Sequence, residues 1–207
     1  MPVGQQAINA VTELEALAQR YGIPSLWHIT SRENVAAIVS NGLMSRHRVL
    51  QRQVPLVDIS EATVQDHRVA KGTRNGLTLH DHVPLYFRAR NPMLFCRRNR
   101  NASLCLLEID TRVCLLGGVV FSDGNAASGS TQFYDHFSDL RFLDWQALDA
   151  VYWSNVPDGK RKRCAEVLVP HHVPASLVHR VHTATAETCG WLRLQGIDAV
   201  HSPTLFF

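Results

Sequence analysis

The feature that most restricts the fold of this chain is a series of short β-strand patterns, concentrated in its second half. Leu104 to Ile109 is almost wholly apolar, and Arg163 to Val169 alternates two sets of side chains and includes β-branched residues. Segments of this length and composition are typical of buried or half-buried strands. Helical spacing dominates the first half instead. The order of elements therefore predicts an α+β fold rather than a regular alternation of strands and helices.

The remaining elements are predicted from apolar spacing and from the residues that begin and end helices. Helices are predicted at 8–21, 31–41, 60–71, 144–153 and 187–194. Further strands are predicted at 26–30, 82–87, 178–182 and 197–200. Val35, Ile38 and Val39 form the expected buried face of the second helix, and Gly42 is expected to end it in a left-handed conformation. The segment 122–130 is rich in Gly, Ser, Ala and Asn, which predicts a mobile loop.

Length and composition narrow the class of protein. With 207 residues, 45% hydrophobic and 19% charged, we expect one domain over residues 1–207, with 1–24 as an N-terminal helical extension. No apolar run approaches the roughly 20 residues of a membrane helix, and no signal peptide is evident, so a cytoplasmic location is expected. The five cysteines are odd in number and form no C-x-x-C pair, which argues against a disulfide framework and a zinc site. A net charge of +3 permits a nucleic-acid partner without requiring one.

Glu166 is the most unusual single residue. It lies inside the predicted strand 163–169, and its sequence neighbours and its neighbours on the same face are apolar. A buried carboxylate must find partners or accept a large desolvation penalty. Two structural explanations compete with a catalytic role: an edge strand that exposes Glu166 to water, or an ion pair with Arg161 or Arg163.

Other candidate residues are ambiguous when taken alone. His28 lies within a predicted strand, where a satisfied structural histidine is the common case. Arg68 lies on the predicted helix 60–71, where a solvated face is the simple interpretation. The histidine pairs lack an H-E-x-x-H motif and a nearby cysteine, so no metal site is predicted. These pairs are His80/His82, His171/His172 and His179/His182.

Basic residues occur in three clusters along the chain, and a folded groove could bring them together. Aromatic residues near them could stack on unpaired bases, although ordinary solvated ion pairs explain the composition equally well. The clusters are Arg46/Arg48/Arg52, Arg97/Arg98/Arg100 and Lys160 to Arg163, and the aromatic residues are Tyr86, Phe87, Phe95 and Trp153.

Four segments in order give the chain a resemblance to a known family. They are WHITSREN at 27–34, DHVPLYFRARNPML at 81–94, LDW at 143–145 through YW at 152–153, and KRCAEVLV at 162–169. Together with the closing PTLFF they resemble the DarT family, DNA ADP-ribosyltransferase toxins found with macrodomain antitoxins. The resemblance is weakest over 44–75, which contains Arg68.

The resemblance implies a fold and a set of site residues. The fold is an ADP-ribosyltransferase-like split antiparallel β-sandwich, with an NAD cleft and flanking helices. NAD is expected as co-substrate, with no metal, and single-stranded DNA as the partner. The implied catalytic residues are Glu166 and Arg68, the implied cofactor-binding residues are His28, Thr30, Asn34, Tyr86 and Phe87, and the implied substrate-binding residues are Arg90, Met93 and Arg163.

The implied reaction attaches ADP-ribose to a base, with thymidine favoured, and releases nicotinamide. A fixed carboxylate can stabilise the positive charge that develops on the ribose. We hypothesise that Arg68 stabilises the base while its proton leaves toward Glu166. The alternatives are transfer to guanosine in DNA, to RNA or to protein, a non-enzymatic nucleic-acid-binding module, and a metal-dependent nuclease that uses the histidine pairs.

Overall fold

The computed structural model describes residues 3–60, 68–69 and 71–207 and places ten strands among them. The strands are β1 (Leu26–Ser31), β2 (Leu43–Met44), β3 (His82–Tyr86), β4 (Leu104–Ile109), β5 (Val120–Ser122), β6 (Phe133–Tyr134), β7 (Glu166–Pro170), β8 (His172–Val173), β9 (Val178–Thr183) and β10 (Ala199–His201). The α-helices are α1 (Val3–Arg20), α2 (Val35–Asn41), α3 (Arg46–Gln51), α4 (Pro92–Cys96), α5 (Trp145–Asp149), α6 (Gly159–Lys162) and α7 (Ala186–Arg193). Short 3-10 turns connect several of them.

Eight of the strands form one sheet, in the order β10-β9-β4-β1-β3-β7-β5-β6, and β2 pairs separately with β8. All the pairings in the large sheet are antiparallel except that of β9 with β10. The sheet is divided in its middle. β1 pairs with β4 over six residues, whereas β1 and β3 share the single pair Trp27 with Tyr86. Two four-stranded halves therefore meet at a seam between β1 and β3.

Both halves of the sheet contribute to one hydrophobic core. Leu26 and Leu107 from one half and Val83 and Val167 from the other are fully buried in the same cluster. Leu14 of α1 is buried against this cluster as well. The α+β class is confirmed, and so is the split, mostly antiparallel sheet that the resemblance implied.

The strand predictions hold with small shifts at the ends. β4 coincides with the predicted segment, and β1 extends one residue further, to Ser31. β7 begins at Glu166 rather than at Arg163, because the unpredicted helix α6 and a turn after it occupy the residues before the strand. In that turn the Cys164 amide donates to the Arg161 carbonyl at 3.0 Å.

Several helix predictions need correction. α1 begins at Val3 rather than at residue 8, because its first turns are polar and exposed and therefore show no apolar period. Val39 was predicted on the buried face of α2 but is 40% exposed. α5 is shorter than the predicted 144–153, since Ala150 turns to an extended conformation with ψ of 131°. Most of the predicted helix 60–71 lies outside the described residues.

Two further differences are additions. The segment 43–59 shows no period in the sequence, yet it contains β2 and α3. Ser45 caps α3 by accepting a hydrogen bond from the Arg48 amide at 3.4 Å. As predicted, α2 ends at Gly42, which has φ of +81°.

Candidate active site

A cleft of about 930 Å³ has walls from both sides of the seam. On the β1 side it is lined by His28, Thr30 and Asn34, and on the other side by Tyr86 and Cys164. Its volume is at the upper end of the roughly 300–1,000 Å³ typical of ligand pockets. The seam is therefore the place in this fold where a large polar ligand can enter between the strands.

Glu166, the first residue of β7, lies directly opposite Tyr86 of β3 and is 1% exposed. The Arg68 guanidinium binds its carboxylate through two contacts, Nη2 to Oε2 at 3.1 Å and Nη1 to Oε1 at 3.4 Å. The Ala126 amide also donates to Oε1, at 2.9 Å. Glu166 is thus neither exposed to water nor paired with Arg161 or Arg163. Arg68 is buried, at 8% exposure, and lines the cleft, so the solvated-face interpretation is wrong.

The loop after β5 supplies the Ala126 amide. The Ser122 hydroxyl accepts from the Glu166 amide at 3.0 Å and donates to the Gly124 carbonyl at 2.7 Å. Ala126 is fully buried, at 0% exposure. Such burial and bonding do not fit the mobile loop predicted for 122–130, because the backbone of this segment holds the carboxylate.

Two cations hold the same loop in place. Arg161 of α6 donates to the Asp123 carboxylate at 2.7 Å and to the Thr131 hydroxyl at 3.2 Å. The Lys71 ammonium donates to the Ser128 carbonyl and lies 5.3 Å from the centre of the Phe133 ring. The loop is therefore attached at three points around the Ala126 amide.

The charges around Glu166 fix the protonation of its neighbours. Burial by itself would lower the pKa of Arg68, but the Glu166 charge and hydrogen bonds outweigh it, and the net shift is upward. Burial lowers the pKa of Lys71, against the opposing effect of Glu166. Burial, then the Glu166 charge, raises the pKa of Tyr86 well above its usual value. Arg68 is therefore a permanent cation, and Tyr86 is a neutral phenol that can donate a hydrogen bond.

His28 has a defined tautomer. Its Nδ1 lies 2.9 Å from the Pro84 carbonyl across the seam, and a carbonyl oxygen only accepts, so Nδ1 carries the proton. Burial lowers the pKa of His28, and the hydrogen bond to Pro84 offsets this only in part. The neutral ring leaves Nε2 as an acceptor toward the cleft, which His28 lines.

Asn34 and Thr30 support the wall of the cleft. The Asn34 side chain donates to the Val57 carbonyl at 2.9 Å and accepts from the Val57 amide at 2.9 Å. It also donates to the Thr30 hydroxyl at 3.2 Å. Most of the bonding capacity of Asn34 is used in fixing the segment around Val57, which itself lines the cleft.

The other implied site residues divide into two groups. Tyr86 and Met93 line the cleft. Phe87 does not: it is buried in the core directly after β3, is 1% exposed and contacts Trp145 edge-on. Its assignment to the cofactor site is therefore corrected. Arg90 and Arg163 lie outside the cleft lining, joined by a 3.0 Å hydrogen bond from Arg163 Nε to the Arg90 carbonyl.

Several residues around Glu166 were not predicted from the sequence. Ala126 acts through its backbone amide, which leaves no trace in residue type. Lys71 looks like an ordinary surface cation in the sequence, and Arg161 was considered only as an ion-pair partner of Glu166 and as part of a basic cluster. A run of small residues such as Ser122 to Ser130 was the one available signal, and it indicated flexibility instead of a fixed wall.

Four histidines of these pairs have ordinary partners: His82, His172, His179 and His182. His82 accepts from the Asn75 side chain at 2.8 Å and donates from Nδ1 to the Thr78 carbonyl at 2.7 Å. Across residues 3–60, 68–69 and 71–207, no group of three or more His, Cys, Asp or Glu residues is placed to hold a metal ion. Within the same ranges, no helix is both long and apolar enough to cross a membrane.

Comparison with known proteins identifies the family of this chain. A family model described as "ssDNA thymidine ADP-ribosyltransferase, DarT" matches residues 27–193. A DNA ADP-ribosyl transferase from Thermus aquaticus is 32% identical over 175 residues, which cover 78% of this chain and 76% of that protein. A transferase–glycohydrolase fusion protein from Thermosipho africanus is 25% identical over 191 residues, which cover 88% of this chain and 49% of the fusion.

A solved structure gives the same result for the fold. DarT from Thermus sp. 2.9, in complex with ADP-ribosylated ssDNA, superposes with a TM-score of 0.78 at 22% identity, covering 90% of this chain and 97% of that one. At this identity the superposition establishes a shared fold. The chain spans about half the length of the Thermosipho fusion and about three quarters of the Thermus aquaticus relative. The family match covers most of the chain, including the seam, the cleft and Glu166, so this protein belongs to the DarT family of single-stranded DNA thymidine ADP-ribosyltransferases.

Proposed function

We propose that the protein transfers ADP-ribose from NAD to a thymine base of single-stranded DNA and releases nicotinamide. The observation that carries this proposal is the buried Glu166, fixed by the Ala126 amide and by Arg68 beside a cleft large enough for a dinucleotide. Family membership supports the same substrates.

The reaction breaks one bond and forms one. The bond between the nicotinamide nitrogen and ribose C1′ breaks, and its electron pair leaves with nicotinamide, which becomes neutral. The positive charge that develops on the ribose is stabilised by Glu166, which accepts a hydrogen bond from a ribose hydroxyl. The thymine ring nitrogen N3 then bonds to C1′. Its proton passes to Glu166 and on to water, so the products are ADP-ribosylated thymine, nicotinamide and one proton.

Arg68 and His28 fit the two substrates in different ways. Arg68 uses two of its nitrogens on Glu166. Its remaining guanidinium donors have no other partner among the described residues, so they can donate to the oxygens of thymine as N3 loses its proton. His28 Nε2 is an acceptor suited to a hydroxyl or amide group of NAD. Positioning the two reactants in one cleft makes the attack effectively unimolecular.

An unpaired acceptor follows from the chemistry, because thymine N3 is engaged in base pairing in a duplex. The Thermus sp. 2.9 relative was solved with ADP-ribosylated ssDNA. The Thermosipho relative joins a DNA ADP-ribosyl transferase to a glycohydrolase. We therefore propose a toxin that modifies DNA in the cytoplasm, with a macrodomain antitoxin that removes the modification.

The proposal includes the domain organisation. We propose that residues 1–207 act as a single ADP-ribosyltransferase domain, with 1–24 as a helical extension. The contact of Leu14 and Leu17 with the main core supports this, since α1 packs on the sheet rather than standing apart.

The test is incubation of the purified protein with NAD and a panel of single-stranded oligonucleotides, followed by mass spectrometry. We expect an added ADP-ribosyl mass on thymidine-containing DNA and its loss in Glu166→Ala. Modification of guanosine, RNA or protein alone would contradict the proposed acceptor. Activity that chelators abolish would indicate the nuclease alternative. If Glu166→Ala leaves every readout unchanged, the protein is a binding module and the enzymatic proposal fails.

A further inference from the structure

Three aromatic rings form a cluster outside the cleft. Phe95, Trp153 and Phe207 contact one another edge-on, with centroid distances of 5.7 Å, 5.1 Å and 5.8 Å. Phe95 is 38% exposed, and the other two are half-buried. The three rings come from distant parts of the chain, so only the folded protein assembles them.

Two arginines lie on the rings of this cluster. The guanidinium carbon of Arg98 is 4.1 Å from the centre of Phe95, and that of Arg90 is 4.4 Å from the centre of Phe207. Both side chains are exposed. In the part of the chain that the structure describes, neither has a carboxylate within ion-pair distance. Each of these two rings thus has a guanidinium group close to its centre.

A third arginine lies next to the cluster with bonding capacity left over. Arg163 bonds to the Arg90 carbonyl through Nε, but its Nη1 is buried and has no hydrogen-bond partner among the described residues. Burial, together with Arg88 and Arg90, lowers the pKa of Arg163, and the Asp149 carboxylate opposes this effect. The guanidinium groups of Arg90 and Arg98, with Arg163 beside them, fit an anionic ligand such as a phosphate group.

The cluster adjoins the cleft through α4. Met93 and Cys96 of this helix line the cleft, whereas Phe95 between them belongs to the aromatic cluster. Met93 and Phe207 also pack against the same hydrophobic group. A strand whose acceptor base enters the cleft beside Met93 would therefore pass its neighbouring nucleotides over the cluster.

We propose that the Phe95–Trp153–Phe207 cluster, with Arg90 and Arg98 on its rings and Arg163 beside it, binds the unpaired nucleotides next to the acceptor base. Bases stack on the guanidinium and ring faces, and phosphates contact the arginines. Stacking on aromatic and arginine surfaces is the general way in which proteins hold single strands. The inference rests on the proposed function, since it takes DNA as the ligand, but it concerns a separate surface.

The test is fluorescence anisotropy with a labelled single-stranded 12-mer, without NAD, on Arg90→Ala and Arg98→Ala. Each substitution lies at an exposed position and should weaken binding about fivefold to tenfold. Arg98→Lys keeps the charge but not the planar surface, so it should also weaken binding while leaving the salt dependence unchanged. Arg98→Ala should reduce the slope of log Kd against log salt by about 0.7.

A control is available in Arg141, whose guanidinium lies 4.8 Å from the Phe142 ring and also forms a 3.9 Å ion pair with Asp139. Arg141 and Phe142 are exposed and do not line the cleft, so Arg141→Ala should bind the 12-mer like the parent protein. Arg90→Ala and Arg98→Ala should lower kcat/KM for the 12-mer but not for free thymidine, which has no neighbouring nucleotides, with the KM for NAD unchanged.

The outcomes separate this inference from the proposed function. If the parent protein modifies DNA and both arginine variants bind and react as it does, the binding surface is refuted and the function stands. If the parent protein binds the 12-mer through these arginines but never modifies it, the function fails and the surface stands. If Arg98→Lys matches the parent, phosphate attraction alone explains the site and the stacking role is overturned.

Discussion

The two carboxylate oxygens of Glu166 have different surroundings. Oε1 accepts from the Ala126 amide and from Arg68 Nη1, whereas Oε2 accepts only from Arg68 Nη2 among the described residues. Each carboxylate oxygen can accept about two hydrogen bonds. Oε2 therefore retains an acceptor position, and it is the oxygen that we expect to bind the ribose hydroxyl of NAD.

Replacing the charge on Glu166 should damage both activity and stability. Glu166→Gln places an amide among donors and leaves Arg68 buried without a counter-charge. We expect ADP-ribosyl transfer to fall at least about a hundredfold and the free energy of unfolding to fall by about 3–5 kcal/mol. Initial rates and urea unfolding measure the two effects. If the variant transferred ADP-ribose at the parent's rate, Glu166 would have no part in the mechanism.

A double variant separates the two effects. Glu166→Gln combined with Arg68→Met removes both buried charges, so stability should recover much of the loss because no unpaired ion remains. Activity should stay at the level of Glu166→Gln, since both charges that we propose for catalysis are absent. Recovery of transfer along with stability would mean that Glu166 acts only through folding.

At the scale of elements, the conformation of the loop after β5 sets the position of the Ala126 amide. A Cβ at Gly124 would lie 2.4 Å from Arg161 Nη1 and 2.9 Å from its Cγ. Gly124→Ala should push Arg161 away from Asp123 and shift the loop. We expect kcat for transfer to fall roughly tenfold or more, because small misplacements are costly in catalysis, with little change in the KM for NAD.

Gly129 provides the control in the same loop, since a Cβ there would meet nothing within 4 Å. Gly129→Ala should leave kcat unchanged. Equal losses in both variants would show that the loop responds to any added side chain and that the Arg161 contact does not position it.

The turn between α2 and β2 depends on a glycine for two separable reasons. Gly42 has φ of +81°, and a Cβ there would lie 2.4 Å from the Val173 carbonyl across the β2–β8 pair. Gly76 has φ of +81° as well, but its Cβ would meet nothing within 4 Å.

In both Gly→Ala variants the free energy of unfolding should fall by about 1–2 kcal/mol, because alanine is strained in this backbone conformation. Gly42→Ala should lower the free energy of unfolding by clearly more, because β2 must also separate from β8. Urea unfolding of the two variants gives the comparison. Equal losses would contradict a steric role for the Val173 contact.

For the whole molecule, buried histidines make stability depend on pH. Burial lowers the pKa of both His28 and His82 in the folded protein below the 6.5 of the unfolded chain. The unfolded chain therefore binds protons first as the pH falls, and stability is present above about pH 6.5 and lost below it. Asp58 and Asp81 have pKa values of about 2, so their contributions to the stability of the folded protein are lost only at more acidic pH, below about 3.8.

The free energy of unfolding should thus be lower near pH 5 than near pH 7.5, and His28→Gln should reduce that difference. Urea unfolding at the two pH values measures it, and His201→Gln, at an exposed position, is the control. An unchanged difference in His28→Gln would mean that His28 is protonated in the folded protein.

The sequence predicted the strands because they depend on local patterns, and β4 was recognisable from its composition. The apolar neighbours of Glu166 made it stand out, but only the family resemblance gave it a catalytic role. The Arg68 contact joins residues 98 positions apart, and no spacing rule reports such a pair; only the family resemblance indicated it. Phe87 was misassigned because the resemblance covers whole segments and does not separate Tyr86, which lines the cleft, from Phe87, which is buried in the core. The role of Ala126 depends on a backbone amide and has no signature in residue type.

The single pair that joins β1 to β3 has a consequence for how such proteins diversify. His28, Thr30 and Asn34 lie on one side of the seam, and Tyr86 and Glu166 lie on the other. Each side belongs to its own hydrogen-bonded four-stranded unit. Substitutions on one side of the seam leave the strand pairing of the other side intact. The two walls of the cleft can therefore change separately while the scaffold is retained.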